Sequence, residues 1–200
     1  MKAHPNSPKF YCLLGEVTSD HSFYEKAWEL SGHKFARAMR SLGSFHFSNK
    51  QWEKSIQCYE NALAINPLFE NSWFVMGCAA LQVENYETAI RAFSRCTAID
   101  PQNSEAWNNL ASVFIKEKRL AEAFRCLKEA VKINYEASNI WENYLYVAVD
   151  LKEVGEAIRA MERIFTIRIE KDELKSTALD EQVALIQSLA NDGLDFGNNC

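Results

Sequence analysis

The sequence predicts an all-α fold of four stacked helical hairpins with flanking helices, and two features of the chain lead to that prediction. Residues that interrupt helices are scarce, with 7 glycines and 4 prolines among 200 residues, which favours long helices joined by short loops. Trp73, Trp107 and Trp141 recur at one constant interval, which we call the period, and Met39 lies one period before Trp73. A constant interval within the range of about 20–50 residues is the signature of a repeat array.

Other positions of the sequence repeat with the same period. Three columns show it well: a small residue in the first block of each unit, a small residue in the second block, and an isoleucine near the end of the second block. Their members are Gly43, Gly77 and Ala111; Ser55, Ala89, Ala123 and Ala157; and Ile65, Ile99, Ile133 and Ile167. Apolar residues recur at helical spacing in both blocks, so each unit is predicted to form two amphipathic helices. The small residues are expected where the paired helices cross, because they let the helix axes approach.

Each unit is therefore predicted to contain a first and a second helix. The first helices are predicted at 36–48, 70–82, 104–116 and 138–150, and the second helices at 52–65, 86–98, 120–132 and 154–168. Asn66-Pro67 and Asp100-Pro101 are expected to end two of the second helices, since proline cannot continue a helix and disfavours it in the preceding residue. Stacked pairs can bury their apolar stripes against one another and form a continuous core.

The domain organisation follows from the same period. The four units are predicted at 36–69, 70–103, 104–137 and 138–171. Residues 1–35 are expected to form an irregular segment and a helical pair, since the interval from Gly15 to Gly43 is shorter than the period. Apolar residues at helical spacing over 172–190 predict a C-terminal capping helix, which a repeat array needs for solubility. Residues 191–200 are expected to form a flexible tail.

Composition and charge argue against several function classes. The net charge is −5 and no basic stripe is present, so we expect no nucleic-acid binding. None of the six cysteines forms a Cys-x-x-Cys pair or has a histidine at zinc-site spacing. The cysteines are interpreted as reduced thiols of a cytoplasmic protein, with the nucleus as an alternative compartment. A polar N-terminus and the lack of a run of 18 apolar residues predict neither a signal peptide nor a membrane span.

The sequence also lacks the motifs of an enzyme. It contains no His-Glu-x-x-His, Walker loop, nucleophile elbow or dinucleotide-binding fingerprint. Catalysis requires groups preorganised in a pocket that excludes water, and an open groove offers such a pocket poorly. We therefore expect no catalytic residues, no metal and no cofactor.

The repeated columns resemble the tetratricopeptide repeat. The resemblance is clearest where Trp73, Met76 and Gly77 are followed by Tyr86 and Ala89, and it covers residues 36–171. It implies a right-handed helical-hairpin solenoid whose first helices line a concave groove, and it implies a non-catalytic scaffold that binds protein partners. Fold resemblance does not identify the partner.

A second resemblance concerns the segment that leads into the repeats. The stretches 10–18 and 24–31 are similar to the corresponding segment in the family of tetratricopeptide repeat protein 27. The members of that family are longer eukaryotic proteins, so this resemblance implies that the chain is a fragment or a short form.

The resemblance also implies a set of groove residues on the first helices. The set contains Arg37, Arg40, Ser44, Asn71, Phe74, Cys78, Glu105, Asn108, Ser112, Asn139, Glu142 and Tyr146. Its charge changes from Arg37 and Arg40 to Glu142, with Asp150 further out. A partner segment with the opposite gradient would be complementary, which mainly sets orientation and association rate. A solvated face with scattered charges is the alternative.

Three other functions are alternatives to the interaction scaffold. A co-chaperone adaptor needs a clamp of lysines, an arginine and asparagines for a terminal carboxylate, and neither register of this chain supplies the cations. In the two registers the clamp positions hold Arg40, Ser44, Val75, Glu105 and Asn109, or Phe74, Cys78, Asn109, Asn139 and Asn143. A helical subunit of an RNA-processing assembly and a helical subunit of an enzyme are the remaining alternatives. The sequence leaves the oligomeric state open.

Overall fold

The computed structural model describes residues 7–170, and this part of the chain contains ten α-helices and no strand. The helices are α1 (Pro8–Thr18), α2 (Ser22–Leu30), α3 (Ala36–Ser48), α4 (Trp52–Ile65), α5 (Glu70–Gln82), α6 (Tyr86–Ile99), α7 (Ser104–Lys116), α8 (Leu120–Ile133), α9 (Ser138–Asp150) and α10 (Val154–Glu170). The predicted all-α fold class is confirmed. The first helices α3, α5, α7 and α9 have their predicted bounds, and the second helices extend at most two residues further than predicted. The predicted capping helix and tail lie outside the described residues.

The chain divides into two compact units, residues 1–109 (unit 1) and 110–200 (unit 2). In unit 1, α1 packs on α2, α3 on α4 and α5 on α6, and the successive hairpins also contact one another. In unit 2, α9 packs against both α8 and α10. The division falls inside α7, so the boundaries proposed for the four repeats stay a prediction.

The helical pair at the start of unit 1 shares a core with the first repeat. Tyr24 and Ala27 of α2 are buried in one cluster with Met39 and Leu42 of α3, and Cys12 of α1 is fully buried there. The pair α1–α2 therefore covers apolar side chains of the first repeat hairpin, which burial stabilises.

Glycines allow close helix crossings in unit 1, as the small-residue columns predicted. A methyl group on Gly77 of α5 would lie 2.8 Å from the ring of Phe93 on α6. A methyl group on Gly43 of α3 would lie 3.0 Å from the ring of Tyr59 on α4. The aromatic ring of the second helix thus rests on the glycine of the first helix.

The tryptophan column has a hydrogen-bonding reason that the sequence did not reveal. The indole N–H of each repeat tryptophan donates to the backbone carbonyl six residues upstream, in the linker that precedes its helix. The bonds are Trp73 to Pro67 at 2.8 Å, Trp107 to Pro101 at 3.0 Å and Trp141 to Tyr135 at 2.8 Å. Each tryptophan therefore fixes the linker relative to the first helix of its own repeat.

The turns between first and second helices repeat as well. In each turn one residue that is not glycine adopts the left-handed conformation, with φ between 56° and 59°: Lys50, Glu84, Lys118 and Lys152. These residues follow one another at the same period as the tryptophans. After each, a backbone N–H bonds a carbonyl five residues earlier, as in Asn85 N–H to Ala80 at 2.9 Å, which caps the end of the first helix.

The core of unit 2 is aromatic at its centre. Trp141 and Tyr144 of α9 are 1% and 2% exposed, and the Tyr144 ring stacks on Phe124 of α8 with a centroid distance of 5.0 Å. Ile164 and Ile167 of α10 are buried to the same degree. Within residues 7–170, no helix is both long and apolar enough to cross a membrane.

Candidate functional site

A cavity of about 500 Å³ lies in unit 1 among the first helices α3 and α5, with walls from α1, α2 and α4. We call it the first-helix cavity. Its lining residues are Glu16, Tyr24, Arg37, Arg40, Ser41, Ser44, Phe47, Tyr59, Asn71, Ser72 and Val75. It brings together four residues of the predicted groove set, Arg37, Arg40, Ser44 and Asn71.

Arg37 is held by a carboxylate at the edge of the first-helix cavity. One guanidinium nitrogen of Arg37 donates to both carboxylate oxygens of Glu16, at 2.9 and 3.2 Å. This hydrogen bond raises the pKa of Arg37 above its usual value. Both side chains are more than 40% exposed, so the pair contributes little to stability, but it neutralises the charge of Arg37.

Arg40 is held by an aromatic ring instead. Its guanidinium carbon lies 3.9 Å from the ring centroid of Phe69, a cation–π contact that fixes the side chain. The Nε atom of Arg40 is buried and has no hydrogen-bond partner among residues 7–170. No carboxylate of the described residues forms an ion pair with Arg40. Arg40 is therefore the uncompensated cation of this cavity.

Tyr59 supplies a neutral phenol to the same cavity. Burial raises the pKa of Tyr59 to about 12, while the hydrogen bond from Ser44 and the charge of Arg40 oppose this rise. The phenol is protonated at neutral pH and can donate or accept a hydrogen bond. The arrangement of one free cation, one phenol and Ser44 suits a polar or anionic group of a ligand.

The other predicted residues of unit 1 lie outside the first-helix cavity. Phe74 is half-buried, and its ring meets the Phe93 ring edge-on at 5.9 Å, so it contributes to packing within its hairpin. Cys78 is half-buried, and burial raises the pKa of its thiol to about 11, with a smaller contribution from Glu105. Glu105 is exposed, and Asn108 already has an interaction of its own.

In unit 2 some residues of the predicted groove set already interact with other residues of the chain, and others are exposed. Glu142 forms an ion pair with Arg168 of α10 at 3.1 Å. Tyr146 is 54% exposed, Asn139 is exposed, and Ser112 has an interaction of its own. Internal partners thus neutralise Glu142 here and Arg37 in unit 1, so fewer charges are free than the sequence predicted.

A second cavity was missed by the sequence analysis, which considered the first helices alone. It measures about 820 Å³ and lies in unit 1 between α4 and α6, above the linker that precedes α5. We call it the second-helix cavity. Its lining residues are Glu60, Leu63, Ala64, Pro67, Leu68, Trp73, Met76, Arg91, Arg95, Ala98 and Ile99. The sequence did contain a signal for this cavity. Leu68 is apolar, whereas the next two repeats carry the polar residues Gln102 and Glu136 at the same position.

The described residues form no cluster of three or more His, Cys, Asp or Glu side chains suited to a metal ion. Burial raises the pKa of the Cys58, Cys78 and Cys126 thiols to about 11. Thiols with such pKa values are protonated at neutral pH and are poor nucleophiles.

Comparison with known proteins supports the resemblance drawn from the sequence. The chain is 51% identical over 78 residues to the tetratricopeptide repeat protein 27 homolog of Dictyostelium discoideum, a match that spans 39% of this chain. The match spans only 9% of the relative, so the chain corresponds to a small part of that protein. The predicted resemblance to tetratricopeptide repeat protein 27 is confirmed.

Solved structures share the fold. The crystal structure of MamA protein has a TM-score of 0.75 at 12% identity and covers 86% of this chain and 97% of its own. The crystal structure of YrrB, a tetratricopeptide repeat protein with an unusual peptide-binding site, has a TM-score of 0.70 at 17% identity. That match covers 83% of this chain and 90% of the YrrB chain. At these identities the likeness demonstrates the tetratricopeptide-repeat fold.

The family comparison covers most of the sequence. A family model described as the cilia and flagella-associated protein 70 C-terminal domain matches residues 2–164. That span includes both helices of every predicted repeat apart from the end of α10. The chain is therefore a tetratricopeptide-repeat protein and belongs to the family of the cilia and flagella-associated protein 70 C-terminal domain.

Proposed function

We propose that the protein is a non-catalytic scaffold that binds a segment of a partner protein at the first helices, with Arg40 as the central contact. Tetratricopeptide-repeat proteins generally mediate protein–protein interactions, and their fold is typically non-catalytic. The YrrB structure, whose site binds peptide, is an example from the same fold.

The uncompensated charge of Arg40 is the observation that carries the proposal. The guanidinium of Arg40 lies against Phe69, lines the open cavity and has no ion-pair partner among residues 7–170, so its charge is available to an incoming acceptor. A carboxylate or carbonyl of a partner segment would satisfy it. Ser44 and Asn71 are exposed beside it and supply further polar contacts.

The thiols support a binding role over a catalytic one and a reducing compartment over an oxidising one. The five cysteines of the described part are free, and none of them has a pKa lowered towards neutrality. We place the scaffold in the cytoplasm, with the nucleus as an alternative, because free thiols persist where glutathione keeps them reduced.

The test is affinity purification of the full chain from cell extract followed by mass spectrometry, with wild type and Arg40→Glu compared. Reversal of the charge should lower the recovery of specific partners by about tenfold or more, because a contact between like charges replaces an attractive one. Arg125→Glu on α8 is the matched control, since Arg125 is exposed and forms no ion pair within residues 7–170. Equal recovery by wild type and Arg40→Glu would refute a partner site at the first-helix cavity.

A further inference from the structure

The second-helix cavity presents an exposed apolar surface. Leu68 in its linker is 73% exposed and Ile65 nearby is 41% exposed, whereas Leu63 and Met76 form a buried floor. The cavity volume of about 820 Å³ falls within the range of about 300–1,000 Å³ that is usual for binding pockets. Water in contact with this surface would be released if an apolar side chain entered.

The rim of the same cavity is positively charged. Arg91 is paired with Glu60 at 2.7 Å across the cavity. Arg95, one helical turn further along α6, is exposed and has no acidic partner among residues 7–170. The rim therefore keeps one free cation beside the apolar surface.

In the last repeat, the arginine equivalent to Arg95 has an acidic partner within the chain. In unit 2, Arg163 of α10 lies over the ring of Tyr135 at 4.2 Å, donates to the Tyr135 carbonyl at 3.2 Å and forms an ion pair with Glu136. The linker before α9 thus supplies a carboxylate to the arginine of the second helix. The side chain of Arg163 is only 11% exposed, so this contact is well ordered.

The second-helix cavity of unit 1 and the Arg163 site of unit 2 occupy equivalent positions in the repeat. Arg95 lies two periods before Arg163, and Leu68 lies two periods before Glu136. Where the linker of unit 2 provides Glu136, the linker of unit 1 provides Leu68. In unit 1 the arginine therefore lacks the carboxylate, and an apolar side chain is exposed at the position that the carboxylate would occupy.

We propose that the second-helix cavity binds a segment of a partner protein in which an aspartate or glutamate lies directly beside a large apolar residue. The carboxylate pairs with Arg95, as Glu136 does with Arg163, and the apolar side chain covers Leu68 and the edge of Trp73. This second site lies on different helix faces from the first-helix cavity, so it goes beyond the scaffold function proposed above. In unit 2 the linker residue Glu136 completes the ion pair with Arg163 internally. In unit 1 the linker residue Leu68 cannot do so, and Arg95 stays available to a ligand.

Selection from a random peptide display library on the full chain tests this proposal. Enriched peptides are expected to carry an acidic residue next to a large apolar one. Arg95→Glu is expected to weaken their affinity by about tenfold or more in fluorescence anisotropy, in line with the loss of a central contact. Leu68→Glu should weaken binding equally, because it rebuilds within unit 1 the ion pair of unit 2 and removes the apolar contact.

Matched variants make the result decisive. Gln102→Glu places the same new charge in the next linker and should change the affinity by less than about twofold. Arg125→Glu on α8, which lines neither cavity, should also leave the affinity unchanged. Enrichment of peptides without acidic residues, or binding unaffected by Leu68→Glu, would overturn the proposal. So would concentration-dependent dimerisation of the chain, seen by sedimentation and abolished by Leu68→Glu, since the occupant would then be a second copy.

Discussion

Replacement of one glycine by alanine should destabilise the protein at Gly77 and stabilise it at Gly155. Gly77 lies in the interior of α5, where alanine is favoured over glycine by about 0.8–1 kcal/mol, and Gly155 lies in the first turn of α10, where the same preference is smaller. A methyl group at Gly155 would have no atom within 4 Å, whereas one at Gly77 would lie 2.8 Å from two carbons of the Phe93 ring. The same chemical change is therefore expected to have opposite signs at the two positions.

The magnitude at Gly77 follows from how little Phe93 can move. Phe93 is fully buried, and its ring also meets Phe74 edge-on at 5.9 Å, so the ring cannot swing away. Overpacking of a tight core costs about 1–3 kcal/mol, from which the helix preference of about 1 kcal/mol is subtracted. We expect Gly77→Ala to destabilise by up to about 2 kcal/mol, which lowers the Tm of a chain of this size by up to about 8 °C.

Urea unfolding followed by circular dichroism measures both variants, with the midpoint compared at a constant m-value. Gly155→Ala, in the first turn of α10, should raise stability by up to about 0.5 kcal/mol. In a Phe93→Leu background the cost of Gly77→Ala should shrink, and the double-mutant cycle should give a coupling of about 1 kcal/mol. A Gly77→Ala variant that unfolds at higher urea than wild type would refute the close crossing of α5 and α6.

Three further changes have defined outcomes. Trp107→Ala should cost about 3–5 kcal/mol in chemical denaturation, because it removes a large side chain and the indole hydrogen bond to the preceding linker. Asn103→Ala should cost about 1–2 kcal/mol by the same measurement, since Asn103 caps α7 and donates to Glu70 at 2.7 Å. The pKa of Cys78 rises from 9.0 to about 11 on folding, so its contribution to stability is complete below pH 9 and is lost as the pH rises through 11. Denaturation curves of wild type and Cys78→Ala at several pH values should therefore converge only at high pH.

Each of these three predictions would be contradicted by one specific result. A melting temperature of Trp107→Ala equal to that of wild type would contradict the repeat register. An Asn103→Ala variant within experimental error of wild type would show that the cap is dispensable. A difference between wild type and Cys78→Ala that does not vary from neutral pH to about pH 11 would contradict the burial of the Cys78 thiol.

The eight repeat helices could be predicted to within two residues because the constant period fixed the register of every repeat, whereas α1 and α2 were expected only as a helical pair without bounds. The breakers Pro67 and Pro101 marked the ends of two second helices, and the structure ends them at Ile65 and Ile99. Small-residue columns likewise predicted the helix crossings at Gly43 and Gly77. These features depend on local chain geometry, which a sequence pattern reports directly.

The candidate sites could be predicted only in part, because they depend on pairings between distant side chains. The bond between Arg37 and Glu16 joins α3 to α1, outside the repeat register. The ion pair of Glu142 with Arg168 joins α9 to α10 and could not be read from either helix alone. The second-helix cavity was missed because the exposed apolar residue Leu68 is significant only beside Arg95, which has no acidic partner among residues 7–170.

The indole hydrogen bonds have a kinetic consequence. Each closes a short chain segment, and a loop this short costs little entropy to close and closes on a submicrosecond timescale. Contacts within a hairpin span less than one period, so the contact order of the fold is low and folding is expected to be fast. A hairpin can thus start to organise as soon as its residues leave the ribosome, with the tryptophan orienting it for the next one.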